Sequence, residues 1–97
     1  MEEITKELVE FRDKRGWGKY HTPRQLAESV SIEAGELLKC FQWGQEIDLP
    51  AVMDEVADVA IYLLYLCEAF NVDLKYAICK KIEKNAVKYP EGVKHEW

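Results

Sequence analysis

Four stretches of this chain repeat apolar residues at helical spacing, and each is cut short by glycine, proline or a capping aspartate before any alternating strand pattern can begin. The first, about Glu2 to Lys14, spaces Ile4, Leu8 and Phe11 along one face, and "RGWGKYHTP" then interrupts it with two glycines and a proline. Thr22 followed by Pro23 opens the second, because threonine caps well and proline is tolerated at the first helical position. That helix is expected to run to about Trp43, where Gly44 stops it. A third begins near Asp48 and Pro50 and continues to about Phe70; "NVD" breaks it, and Asp73 caps a fourth, about Leu74 to Lys88, ended by "YPEG". The expected fold is all-α, a four-helix-bundle type, in one domain covering residues 1–97.

The stripes are not clean. On the second helix Leu26, Val30, Leu37 and Phe41 form one apolar stripe, yet Glu33 falls within it and Glu36 lies one turn on at its edge. On the third, Val52, Val56, Val59, Leu63 and Leu66 make the stripe, with Glu55, Asp58 and Tyr62 lining one edge at spacings of three and four. On the fourth, Lys81 and Asn85 intrude on the face of Leu74, Ile78 and Ile82. Three helices are therefore expected to aim polar groups inward.

Burying an ionised carboxylate without a partner costs several kcal/mol, and several together drive proton uptake. A hard divalent cation removes both problems. Two i,i+3 acidic pairs on neighbouring helices supply oxygen ligands for Mg²⁺, which takes carboxylates and water and often completes its shell with substrate phosphate. The bland alternative is that each pair is a solvated helix face. A di-iron carboxylate bundle is the competing metal site, but it requires ExxH pairs, and neither His21 nor His95 follows a glutamate by three residues.

Composition narrows the partners. With 13 basic and 18 acidic residues in 97, net −5, no basic stripe follows a nucleic-acid backbone, so a polymer ligand is disfavoured while a small phosphate ligand is not. Cys40, Cys67 and Cys79 form no CxxC and lie among apolar helical residues, which reads as reduced core thiols of a cytoplasmic protein. "MEEITKELVEF" lacks the character of a signal peptide, and the best apolar run, Val56 to Cys67, is too short to span a bilayer. A domain this thin gains from self-association, so a homo-oligomer is expected.

"ExxE" at 33 to 36, eighteen intervening residues, then "ExxD" at 55 to 58 resembles the metal signature of the all-α nucleoside triphosphate pyrophosphohydrolases, the MazG-like superfamily. The blocks "RGWGKYHTPRQL", "EAGELLKCFQW", "EVADVAIYLLYL", "NVDL" and "KKIEKNAVKYP" are similar to its dCTP pyrophosphatase branch and cover nearly the whole chain. The resemblance implies hydrolysis of a deoxynucleoside triphosphate between the α and β phosphates, to monophosphate and pyrophosphate, as nucleotide-pool housecleaning. Glu33, Glu36, Glu55 and Asp58 would hold Mg²⁺, with Glu33 or Glu36 orienting or deprotonating the attacking water. Tyr62, Lys81 and Asn85 would contact phosphate and sugar, and Trp17 and Trp43 would enclose the base. The relatives assemble as tetramers built as pairs of dimers, which implies a dimer or tetramer here, with residues around the base coming partly from a neighbouring chain.

Each aromatic also has a packing role open to it, and His21 and Arg24 are each either ligand contacts or ordinary loop residues. One departure stands out. Where the dCTP-preferring relatives offer a histidine to the cytosine edge, nine residues before Trp17, this chain has Leu8, which is expected to weaken cytosine selectivity. Two other readings remain beside this one. A phosphoribosyl-ATP pyrophosphohydrolase shares the helical plan, though "GWGKYH" and "FQWG" argue against it; a non-catalytic nucleotide-binding helical oligomer would ignore Mg²⁺.

Overall fold

The computed structural model describes residues 1–44 and 46–92. It contains α1 (Glu2–Lys14), one turn of 3₁₀ helix (Trp17–Tyr20), α2 (Pro23–Lys39), α3 (Leu49–Ala69) and α4 (Leu74–Lys88), with no strand among the described residues. The starts follow the local chemistry. The Thr22 hydroxyl accepts from the Gln25 amide at 3.2 Å while the Gln25 side chain accepts from the Thr22 amide, so two otherwise orphaned donors are satisfied with Pro23 in the first turn. Asp48 accepts from the Ala51 amide at 3.3 Å and Asp73 from the Lys75 amide at 3.1 Å, capping α3 and α4.

α2 ends earlier than expected, at Lys39. The amides of Cys40, Phe41 and Gln42 each bond the carbonyl three residues back, tightening the last turn, and Trp43 and Gly44 then both take positive φ, 67° and 65°. A positive φ is costless for glycine but strained for tryptophan, so Trp43 is held out by its turn rather than carried along a helix.

α2 and α3 form the most extensive helix pair, α1 lies against α3, and α4 touches α3 only sparsely. Among the described residues the buried apolar side chains are Leu26, at 1% exposure, Val52, Leu64 and Tyr65. Phe41, Val56, Ile78 and Ile82, expected in apolar stripes, are exposed in the single chain. Cys40 and Cys67 are half-buried, but Cys79 is exposed rather than a core thiol. The radius of gyration is 16.4 Å, against about 12.5 Å for a compact chain of this length. α4, which touches α3 only sparsely, leaves Ile78 and Ile82 of its apolar face exposed. No helix is long and apolar enough to cross a membrane among the described residues.

α1 is fastened to α3 by two polar contacts. The Tyr65 hydroxyl donates to the Leu8 carbonyl at 2.7 Å, and Arg12 donates to Glu68 at 3.1 Å and to Asp13 at 3.0 Å. The Arg12 guanidinium also lies 5.8 Å from the centre of the Tyr65 ring. Its ion pairs hold its pKa above the ordinary value against the opposing effect of burial, which is the largest single influence.

Candidate active site

Because α2 and α3 pair along their length, Glu33 is carried against the acidic edge of α3. Glu33, Glu55 and Asp58 each offer a carboxylate oxygen within 4.8 Å of the others, and all three residues are half-buried. Glu36 stands apart: its carboxylate turns to Lys39 on the same helix, 3.2 Å away, so three of the four expected acids meet and the fourth is paired at the surface. Burial first, then Asp58, a hydrogen bond with Glu55 and the charges of Glu55 and Glu36, push the Glu33 pKa above the ordinary carboxylate range. The Glu55 Oε2 atom is buried and makes no hydrogen bond.

These two features are what a cation site of hard oxygen donors looks like from the protein side. A carboxylate set that raises its own protonation energy gains by binding a divalent cation, and an orphaned buried oxygen has a ligand role available to it. The absence of a histidine or thiol in the cluster suits Mg²⁺ better than a softer metal.

Asp58 also lines a cavity of about 410 Å³ between α1, the 3₁₀ turn and α3, walled by Leu8, Phe11, Trp17, Tyr62 and Tyr65 among others. The acid cluster thus opens onto an aromatic chamber. Phe11 and Trp17 meet edge to face with centroids 5.7 Å apart, and the Arg15 guanidinium sits 3.4 Å from the centre of the Phe11 ring on the outside. His21 packs against Tyr65 with centroids 4.7 Å apart. Its Nδ1 is buried and without a hydrogen bond, and burial followed by the charge of Arg12 lowers its pKa, so the imidazole is neutral near pH 7. A wider groove of about 850 Å³, between the start of α1 and the α3–α4 turn, contains none of the expected site residues.

Of the residues singled out from sequence, Glu33, Glu55 and Asp58 converge, and Trp17, His21 and Tyr62 join Asp58 on the cavity wall. Trp43 lies outside it, 91% exposed at the tip of its strained turn. Neither Lys81 nor Asn85 lines the cavity; Lys81 is exposed and Asn85 half-buried on α4. Glu7, Phe11, Ile61 and Tyr65 are wall residues that the sequence reading passed over. Continuing the Asp58 to Tyr62 edge of α3 by three residues finds Tyr65, so that one was available from spacing.

Fold and site together define a small all-α protein whose paired helices gather carboxylates at the mouth of an aromatic cavity. A model of the MazG-like family matches residues 29–97, and the chain belongs to that family. It is 33% identical over 100 residues to dCTP pyrophosphatase 1 of Homo sapiens and of Mus musculus, matches that cover 93% of this chain. The chain spans 59% of the length of these relatives. Its fold is similar to the crystal structure of a pyrophosphatase from Archaeoglobus fulgidus, with a TM-score of 0.86 and 48% identity, covering 94% of this chain and 93% of that one.

Proposed function

We propose that this protein hydrolyses (deoxy)nucleoside triphosphates, with pyrimidine deoxynucleotides such as dCTP or their modified forms foremost, to monophosphate and pyrophosphate. The observation that carries the reading is that Asp58 belongs at once to the carboxylate cluster and to the wall of the aromatic cavity, so a cation and an organic ring would be held side by side. The names of the relatives, dCTP pyrophosphatase and pyrophosphatase, point the same way.

Glu33, Glu55 and Asp58 would hold Mg²⁺. The ion would draw charge from the phosphate oxygens and make its bound water more acidic. Glu36, one helical turn from Glu33, is restrained by an ion pair to Lys39 at the surface, an interaction worth about 0–1 kcal/mol, so its carboxylate is the one free to join the cation or take the proton of the attacking water. Trp17 and Tyr62 would face the base and sugar, since an aromatic face stacks on any base.

Lys81 and Asn85 would serve the phosphates, where a cation stabilises the charge that grows in the transition state. α4 carries both and lies loosely on its own chain with Ile78 and Ile82 exposed, which supports a homo-oligomer in which a second copy covers that face and completes the site. Trp43, 91% exposed on its turn, would meet a neighbouring copy or an incoming base in the same way.

The test is pyrophosphate release from a panel of dNTPs and NTPs, including 5-modified dCTP, with and without Mg²⁺, beside a Glu33→Gln variant. Metal-dependent release that the variant abolishes is expected; release that ignores both metal and variant would overturn the reading.

A further inference from the structure

One ionisable side chain on the cavity wall is used neither by the acid cluster nor by the contacts that fasten α1. Glu7 stands on α1 beside Leu8, reaches the wall, and makes no hydrogen bond or ion pair with any of the described residues. The rest of the wall is apolar or aromatic carbon apart from the polar groups of His21, Asp58, Tyr62, Tyr65 and Trp17. The remaining polar wall groups are already committed or differ in kind. Asp58 belongs to the cluster, and the Tyr65 hydroxyl proton is given to the Leu8 carbonyl. The His21 imidazole and the Tyr62 hydroxyl can each donate a hydrogen bond, whereas a carboxylate only accepts.

We propose that Glu7 is a specificity-determining residue that accepts a hydrogen bond from the exocyclic amino group of the bound base. The inference rests on the reading that this cavity holds the base of a nucleotide. Cytosine carries an amino group at C4 where uracil carries a carbonyl, and the two rings are otherwise nearly the same size. Glu7 attracts the first through a charge-assisted hydrogen bond and repels the lone pairs of the second. Leu8 supplies no polar contact to the edge, so the carboxylate one residue earlier takes over the discrimination that an apolar wall lacks. Because Glu7 is exposed and water competes for it, its preference is modest, about tenfold rather than the thousands a buried polar contact gives.

The experiment compares kcat/KM for dCTP and dUTP in the full chain and in Glu7→Gln and Glu7→Leu, beside the affinities of dCMP and dUMP by calorimetry. The expected result is a dCTP-to-dUTP ratio of about ten in the original chain that falls toward one in Glu7→Leu. It falls at least as far in Glu7→Gln, whose amide can also donate to the uracil carbonyl. The monophosphate affinities follow the same order. A ratio near one in the original chain, or one that both variants leave unchanged, overturns the role of Glu7 while leaving pyrophosphate release intact. If no triphosphate is hydrolysed, the functional reading fails, and the calorimetric ratio still decides Glu7: a Glu7-dependent preference for dCMP sustains it, and no preference or no binding overturns it.

Discussion

Replacing Asp58 by asparagine keeps the shape of the side chain and removes one of three carboxylates whose oxygens lie within 4.8 Å of one another. Two unit charges at that distance repel by about 3.5 kcal/mol at an effective dielectric constant near 20, and Asp58 faces two such neighbours. Solvent reduces the net effect, because all three residues are only half-buried and their charges are screened. A gain of about 1–2 kcal/mol remains for Asp58→Asn in chelator at pH 8, and the new amide can donate to the orphaned Glu55 Oε2. For a chain of this size that is a rise in Tm of about 5–15 °C. Mg²⁺ should reverse the order. A ligand that binds only the folded chain stabilises it by RT ln(1 + [L]/Kd), so if the cluster holds the ion as proposed, the Tm of the original chain is expected to climb with Mg²⁺ while the variant's hardly moves. Thermal melts at one fixed protein concentration, across a Mg²⁺ series, read both effects. Loss of stability in chelator, or an equal Mg²⁺ shift in both proteins, would refute the assignment of the cluster as a cation site.

Other consequences follow from the same contacts. Tyr65→Phe deletes the hydroxyl that donates to Leu8 and should cost about 1 kcal/mol, with faster amide exchange concentrated in α1. The depressed pKa of His21 gives stability that is complete above its unfolded value of about 6.5 and is lost as pH falls through the lower folded value, so His21→Gln should flatten the decline in stability just below that pH. An unchanged slope would remove His21 from the account. Ile82, 61% exposed in one chain, lies on the apolar face of α4, and Ile82→Glu places a charge there; light scattering should show smaller particles if a second copy covers that face, and no change if none does.

The helix starts were legible because they are local: Thr22, Asp48 and Asp73 each satisfy an amide within three residues of themselves. The convergence of Glu33 with Glu55 and Asp58 was legible too, since charges inside apolar stripes on adjacent helices have few places to go. The core of α3 was legible only in part. The expected stripe caught Val52 but, through Leu63 and Leu66, missed the buried Leu64 and Tyr65, because α3 is apolar around most of its circumference and takes α2 on one side and α1 on another. Periodicity cannot choose between faces when both are used. The end of α2 and the exposure of Trp43 depend on two consecutive positive-φ residues, of which only Gly44 announces itself in sequence. The surroundings of Lys81, exposed in one chain, were not legible for a third reason: its helix leaves Ile78 and Ile82 exposed too, and periodicity does not say what covers such a face.

The most direct test of the central claim follows the products of dCTP by ³¹P NMR while Mg²⁺ is titrated, in the original chain and in Glu33→Gln. Cleavage at the carboxylate cluster predicts dCMP and pyrophosphate in equal amounts, appearing only with Mg²⁺ and lost in the variant. dCDP with orthophosphate, or pyrophosphate formed equally well by Glu33→Gln, would contradict it.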